Sequence, residues 1–323
     1  MLPPVYAEKC SFCHGDLGEG LGGFPKLQGY TKTLDRMTAI IRNGDSPMPA
    51  YNASVVSDAD ITAIYNYFKM TPTSSSQPSS VAISSKSASS VSSSAPFDRN
   101  HYDAPRAVIA PIIDGVAEAV WDTAAWAPIN VFWLGQNPSA QDFSGRYKAM
   151  WDAGNLYFLF DITDDTLLDA TSNPLERYWD DDSVEIFLDE NKNGGDHQFN
   201  TKAWAYHIST LGDSVDITNS GNAKLLNSHI TVKRVSVGTK HLWEMSVRVY
   251  GENYDDNKAN TPVPLLAGKQ MGFSACYNDN DASSNRESMV GSVDTQGHKD
   301  NQGYINASVF GSMTLVETLA FSR

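Results

Sequence analysis

The sequence predicts two folds in one chain, an all-α domain followed by an all-β antiparallel sandwich, and three observations carry that expectation. Before position 72 the apolar residues recur at helical spacing. A serine-rich stretch then interrupts the chain at 73–96. From 97 onward short runs rich in Val, Ile, Tyr, Phe and Trp alternate with turn residues, without amphipathic helices between them.

Taken in order, Pro3 to Cys10 starts a short helix, and Thr33 to Arg42 carries Leu34, Met37, Ile40 and Ile41 on one helical face. Ser57 to Met70 makes a stronger case. Ser57 or Asp58 can cap its start, Ile61, Ile64, Tyr65 and Phe68 form its apolar face, and Pro72 stops it. Residues 73–96 are about half serine and too poor in large apolar side chains to fold, so they read as a flexible tether between a first domain (1–72) and a second (97–323). In the second domain the expected strands include Tyr147–Trp151, Leu156–Ile162, Ser183–Leu188, His229–Val235 and His241–Val249, with turns at Asp152–Asn155 and Asn191–Gly195. No short repeat is visible, which argues against a propeller.

Charge excludes some functions. The formal net charge is -14, yet residues 1–72 carry six Lys and Arg against seven Asp and Glu, so the acidic excess lies almost entirely in the second domain. Such a surface repels nucleic acid and anionic membranes. No apolar stretch approaches the length of a membrane span, and the start Met1-Leu2-Pro3-Pro4 has no signal-peptide pattern, so an export signal is expected to be absent from this chain. A monomer is expected. Three cysteines form no disulfide framework, and Cys276 reads as a buried structural thiol in the run Met271–Tyr277.

The first chemical motif is Cys10-Ser-Phe-Cys13-His14, the Cys-x-x-Cys-His form that attaches one haem c covalently through Cys10 and Cys13 and sets His14 beside the iron. Downstream, Asn43-Gly-Asp-Ser-Pro-Met48-Pro-Ala-Tyr51 places a methionine between prolines just before the last helix. Met37 and Met70 are rival sulfur donors, but Met37 fits a helix face and Met70 ends a helix. The glycines at 18, 20, 22 and 23 can bring backbone close to a haem edge, with Pro25 and Leu27 as haem-packing candidates. Over residues 5–70 this arrangement resembles the class I cytochromes c. The resemblance implies Met48 as the second axial ligand and electron transfer, not catalysis, because both iron faces are then closed.

In the second domain, Asp114-Gly through Trp121, Tyr147–Asp152, Asn155–Phe158, Ile162–Asp165, Trp179–Asn191, Gly272–Asp279 and Phe310–Leu315 follow one another in an order similar to that of family 9 carbohydrate-binding modules, over residues 106–317. The resemblance implies two aromatic walls around a terminal sugar ring, here Trp179 and Tyr304, with polar contacts from Glu185, His207 and Asn301. His207 stands where that family has arginine and Cys276 where it has glutamine, which weakens the expected hydroxyl contacts. Asp189, Asn191, Asn193 and Asp196 place oxygens at alternate positions around a glycine turn, a partial calcium-loop pattern that also suits a plain hairpin.

Together these readings predict a non-catalytic, periplasmic, cell-surface or secreted electron carrier. It is expected to act with a redox partner protein, such as a polysaccharide-oxidising enzyme, and to bind carbohydrate. Two competing expectations are a relay in which the sandwich holds haem b through Met150, His207, Met245 or Met271, and a periplasmic docking subunit that binds no sugar.

Overall fold

The computed structural model describes residues 3–10, 14, 18, 26–44, 48, 50–53, 55–70, 98–281 and 285–318. The chain divides into two compact units, 1–92 and 93–323. Cys13, Pro25 and the stretch 73–96 lie outside the described residues.

The first unit holds three helices among its described residues: α1 (Pro4–Lys9), α2 (Leu34–Asn43) and α3 (Asp58–Met70). Each starts where a polar cap or proline allows it. Pro4 opens α1 at a position where no intrahelical N–H is needed, and Thr33 Oγ1 accepts the Arg36 N–H at 3.2 Å to open α2. At α3 the cap is Ser57. Its hydroxyl accepts the Asp60 N–H at 3.1 Å, while the Asp60 carboxylate reaches back to the Ser57 N–H at 3.0 Å, a reciprocal capping box. Met37 and Ile41 of α2 pack with Ile61, Ile64 and Phe68 of α3 and with Tyr6 of α1 in one apolar cluster.

The second unit is a β-sandwich. Its larger sheet runs β1 (His101–Pro105), β14 (Gly311–Val316), β12 (Gln270–Asp279), β6 (Ser183–Asp189), β7 (Trp204–Ser209), β8 (Ser214–Ile217) and β9 (Ala223–Leu225), with β13 (Ser288–Gly291) bridging β12 to β3 (Val131–Gly135). The smaller sheet runs β10 (Ile230–Val237), β11 (Lys240–Val247), β5 (Leu156–Asp164), β4 (Phe143–Trp151) and β2 (Ala127–Ile129). Named strand pairs are antiparallel except β1 with β14, which are parallel because the first and last strands of the unit lie side by side.

Side chains alternate faces along each strand, and that parity partitions the domain into layers. Tyr147, Ala149 and Trp151 of β4, Phe158 and Phe160 of β5, Val184, Ile186 and Leu188 of β6, and Trp204 and Tyr206 of β7 fill the space between the sheets. The opposite parity of β4 and β5 presents Met150, Tyr157 and Leu159 outward, where the segment carrying Trp121 and Ala124 covers them. Lys148, on the same outer parity, is buried by donating to the Trp121 carbonyl at 2.7 Å and lying over the Trp126 ring. The outer face of the larger sheet bears a second apolar cluster of Phe187, Ala205 and Cys276 with Trp133, Met289 and Phe310. A short helix, α4 (Gln296–Lys299), delivers His298 into that layer, stacked on Trp133 with ring centres 3.8 Å apart.

Candidate functional site

Glu185, His207 and Cys276 share the outward parity of β6, β7 and β12, and the strand register sets them in one row, Cys276 opposite Glu185 and Glu185 opposite His207. Glu185 and His207 of this row, with Cys276 beneath Glu185 and outside the lining, floor a pocket of about 380 Å³, near the small end of the roughly 300–1,000 Å³ usual for small-molecule sites. Trp179 reaches it from the connection between β5 and β6, and Asn301 and Tyr304 reach it from the connection between α4 and β14. The structure thus brings all five carbohydrate-site candidates to one cavity. Trp179 and Tyr304 stand 42 % and 45 % exposed at its rim, whereas Glu185 and His207 are buried.

The floor is rich in hydrogen-bond acceptors. Glu185 Oε2 receives Asn278 Nδ2 at 3.2 Å and the Cys276 thiol at 3.5 Å. Burial pushes the Glu185 carboxyl up to about 7 against the opposing pull of Arg286. Burial pushes His207 down to about 3, with the Arg286 cation adding to the effect, so its imidazole is neutral. His207 Nδ1 lies 3.3 Å from the Ala205 carbonyl oxygen, which only accepts; Nδ1 therefore carries the proton and Nε2 is bare. That bare nitrogen sits 3.2 Å from Glu185 Oε2 without an aligned hydrogen bond. Two acceptors face each other unless Glu185 holds a proton. Asp216 is buried beside them and also pushed up to about 7 by burial, against the N–H groups of Ala205 and Ile217, each donating to it at 2.7 Å.

Sequence reasoning missed Asp216, Arg286 and Phe199, all of which line this pocket. None of the three left a periodic signal: His207 pairs with Val215, so Asp216 has the opposite parity on β8, and its carboxylate is held at the pocket by the Ala205 and Ile217 N–H groups. Cys276 is fully buried and its thiol is pushed well above the usual range by burial, in keeping with the inert thiol expected there.

At the expected calcium loop, Asp189 accepts the N–H groups of Gly194 at 2.7 Å and Asn191 at 3.3 Å, Asn191 Oδ1 accepts the Asn193 N–H at 3.0 Å, and Asp196 Oδ1 accepts the Gln198 N–H at 3.1 Å. These oxygens serve the turn. A denser set of hard donors lies elsewhere: the carboxylates of Asp164, Asp182 and Asp279 lie within 4.8 Å of one another and are buried, and those of Asp142, Asp165 and Asp281 form a second such group, half-buried to exposed. Burial and the neighbouring Asp164 push Asp182 up to about 9, and burial pushes Asp279 up to about 7. Asp279 Oδ1 and Asp281 Oδ1 are buried without a hydrogen-bond partner. Asp164 already accepts from Thr166 and Tyr277 and Asp182 from Leu168 and Asn280, so the unpaired Asp279 Oδ1 is the oxygen of the buried group that a divalent cation would satisfy.

The haem b candidates of the competing reading do not converge. Met150 lies under the outer cover of the smaller sheet, Met245 and Met271 lie between the sheets, and His207 lies in the pocket.

In the first unit, the His14 N–H donates to the Cys10 carbonyl at 3.0 Å, so Cys10 and His14 are one helical turn apart on one face, and both are buried. Met48 and Leu27 pack half-buried against the cluster that contains Cys10, Met37 and Phe68. Met37 is committed to the inner face of α2. A thiol, an imidazole and a thioether sharing one apolar surround are the donor set haem requires, and these residues fit it. Gly18 does something other than admit a haem edge: at φ +75° it accepts the N–H groups of Leu27 and Gln28, and a Cβ there would come within 2.2 Å of the Phe68 ring.

Residues 113–318 match the family model described as "Carbohydrate family 9 binding domain-like". The chain belongs to that family. Residues 3–68 match the model "Cytochrome C oxidase, cbb3-type, subunit III", and the first unit is a cytochrome c domain, the part of the chain that implies haem. Among curated relatives, the exoglucanase XynX of Acetivibrio thermocellus is 28 % identical over 208 residues, 62 % of this chain and 16 % of its own length. Endo-1,4-beta-xylanase A of Thermotoga maritima is 23 % identical over 64 % of this chain and 17 % of its own length. The chain therefore spans less than a fifth of those enzymes, in their binding-module region. Cytochrome c-555 of Methylococcus capsulatus is 33 % identical over 64 residues, 19 % of this chain and 52 % of that protein. Among solved structures, a family 9 carbohydrate-binding module of Caldicellulosiruptor kristjanssonii in complex with cellotriose has the same fold, with a TM-score of 0.52 and 20 % identity over 69 % of this chain and 97 % of the other. The chain thus joins an electron-carrier domain to a carbohydrate-binding-type module, and neither is of a catalytic class.

Proposed function

We propose that this protein is an extracytoplasmic electron carrier held on polysaccharide by its sandwich domain, where it exchanges electrons with a polysaccharide-oxidising enzyme. One observation carries the reading: a cytochrome c domain shares its chain with a module whose pocket gathers Trp179, Tyr304, Glu185, His207 and Asn301. Haem would be held by Cys10, Cys13, His14 and Met48 and would supply one-electron chemistry there, with a thioether donor favouring the ferrous state. The chain's own part is to enclose that group in the cluster around Tyr6, Ile61 and Phe68.

On the module, the rings of Trp179 and Tyr304 offer apolar faces to the C–H surfaces of a pyranose, and Glu185, His207 and Asn301 meet its hydroxyls. Where that family has an arginine, the neutral His207, its Nε2 buried against Glu185, brings no cation to the sugar. Calcium, as a structural ion, is held by Asp164, Asp182 and Asp279. Joining the two domains in one chain keeps the haem concentrated near the bound glycan.

The test is co-sedimentation of the haem-loaded protein with insoluble cellulose and xylan, beside a pyridine haemochrome assay. One haem c per chain and retention abolished by Trp179→Ala support the proposal. No retention on any glycan removes the targeting half, and absence of covalent haem removes the carrier half.

A further inference from the structure

The pocket rim carries a third exposed ring. Phe199, in the connection between β6 and β7, is 49 % exposed and lines the same cavity as Trp179 and Tyr304. Its backbone sits at φ +59°, the left-handed region, where a non-glycine residue costs on the order of 1 kcal/mol or more. An apolar ring held in solvent on an unfavourable backbone gains nothing for the fold, since among the described residues it stacks on no other ring. Strain of this kind persists where the surroundings over-determine it, and it clusters at ligand clamps.

The surroundings here do over-determine it. The His197 and Gln198 N–H groups donate to the Ile305 carbonyl at 2.8 and 3.3 Å, and His197 Nε2 donates to the Gly303 carbonyl at 2.8 Å. The Ala307 N–H closes onto the Gly195 carbonyl at 2.9 Å. Phe199 therefore rides on a turn laced to the very loop that presents Tyr304, and the two rings are set in place before any ligand arrives. Preorganisation of this sort lowers the ordering cost of binding.

We infer that Phe199 is a second aromatic platform, beyond the Trp179 and Tyr304 pair, and that it takes the next ring of a neutral, β-linked oligosaccharide. This rests on the sugar-binding reading above and adds that the module measures chain length. A first ring held between Trp179 and Tyr304 directs the following ring along the rim, where Phe199 is exposed. In a β-linked chain of equatorial pyranoses, that following ring again presents a C–H face, which an exposed phenyl ring buries.

The experiment is calorimetric titration of the haem-loaded full chain with glucose against cellobiose and xylose against xylobiose. Phe199→Gly deletes the ring and relieves the backbone, and Phe199→Trp keeps a platform; thermal melting shows that both variants fold. Wild type is expected to bind a disaccharide about tenfold more tightly than its monosaccharide. Phe199→Gly should reduce that ratio to about twofold while monosaccharide affinity stays within twofold, and Phe199→Trp should retain it. A ratio unchanged in Phe199→Gly, or equal losses for both lengths, overturns the inference while leaving sugar binding intact. Wild type that binds none of the four sugars, with no retention on insoluble glycan, overturns the sugar-binding reading itself.

Discussion

Replacing Glu185 by Gln should stabilise the sandwich domain increasingly as pH rises from about 4.5 to 7. In the fold Glu185 is fully buried, and its carboxyl is raised from an ordinary value of 4.5 to about 7. Between those two values the folded state holds a proton that the unfolded chain has released, so stability falls as pH rises through that window. At 1.36 kcal/mol for each pH unit, a shift of about 2.5 units removes on the order of 3 kcal/mol by pH 7.5, with nothing lost at pH 4.5. Glutamine does not titrate. Because His207 Nε2 and Asn278 Nδ2 meet the same Glu185 oxygen, the amide can donate to the one only by giving up the hydrogen bond from the other, so the variant removes the titration at the cost of one hydrogen bond, about 1 kcal/mol at every pH. Guanidinium unfolding followed by tryptophan fluorescence reads the right unit, because all seven tryptophans lie in the sandwich domain. The difference, variant minus wild type, is expected to rise by about 3 kcal/mol between pH 4.5 and pH 7.5. A difference independent of pH, or a less stable variant at pH 7.5, would refute the argument that an acceptor pair faces itself across the pocket floor.

Three other outcomes are expected. Met48→Ala should lower the reduction potential of the haem-loaded protein in spectroelectrochemical titration, whereas Met37→Ala should leave the potential in place and cost about 2–5 kcal/mol in stability, since Met37 is core. Gly18→Ala should destabilise the first domain by roughly 2–4 kcal/mol, from a left-handed backbone and a Cβ driven into Phe68, read as a lower melting point by far-ultraviolet circular dichroism. Calcium at a hundredfold excess over its Kd should add about 2.7 kcal/mol, a rise of roughly 5–10 °C in Tm against chelator, and Asp182→Asn should remove most of that rise.

What the sequence makes legible follows from periodicity. Alternating runs such as Leu156–Ile162 announce strands whose two faces differ, and helical spacing through Ile61, Ile64 and Phe68 announces the last helix, its cap included. The carbohydrate-site candidates were legible because Trp179 and Glu185, and likewise Asn301 and Tyr304, lie close enough in the chain to be read as short patterns. Asp216 and Arg286 were not, since Asp216 has the parity of β8 opposite to His207 and Arg286 arrives from the connection between β12 and β13. The carboxylate groups draw on Asp142, Asp164, Asp165, Asp182, Asp279 and Asp281, and no local window contains them. The turn at Asp189–Asp196 shows the converse limit, because alternating oxygens look alike whether they face a cation or fold back onto their own backbone N–H groups. Phe199 carries no periodic signal at all; its exposure and backbone become visible only in three dimensions.

The side-by-side placement of the first and last strands governs the order in which the sandwich can be completed. β14 is inserted between β1 and β12, so the backbone edge of β1 has no partner strand until Met313 and Leu315 have been synthesised, although Tyr102 can already pack on Tyr147. At about 5–20 residues per second, that interval is roughly 10–40 s. Throughout it the nascent chain carries an open, apolar sheet edge. A truncation just before Gly311 would therefore strip two strands from the sheet, and a chaperone that shields β1 during that wait would act on yield without touching the finished molecule.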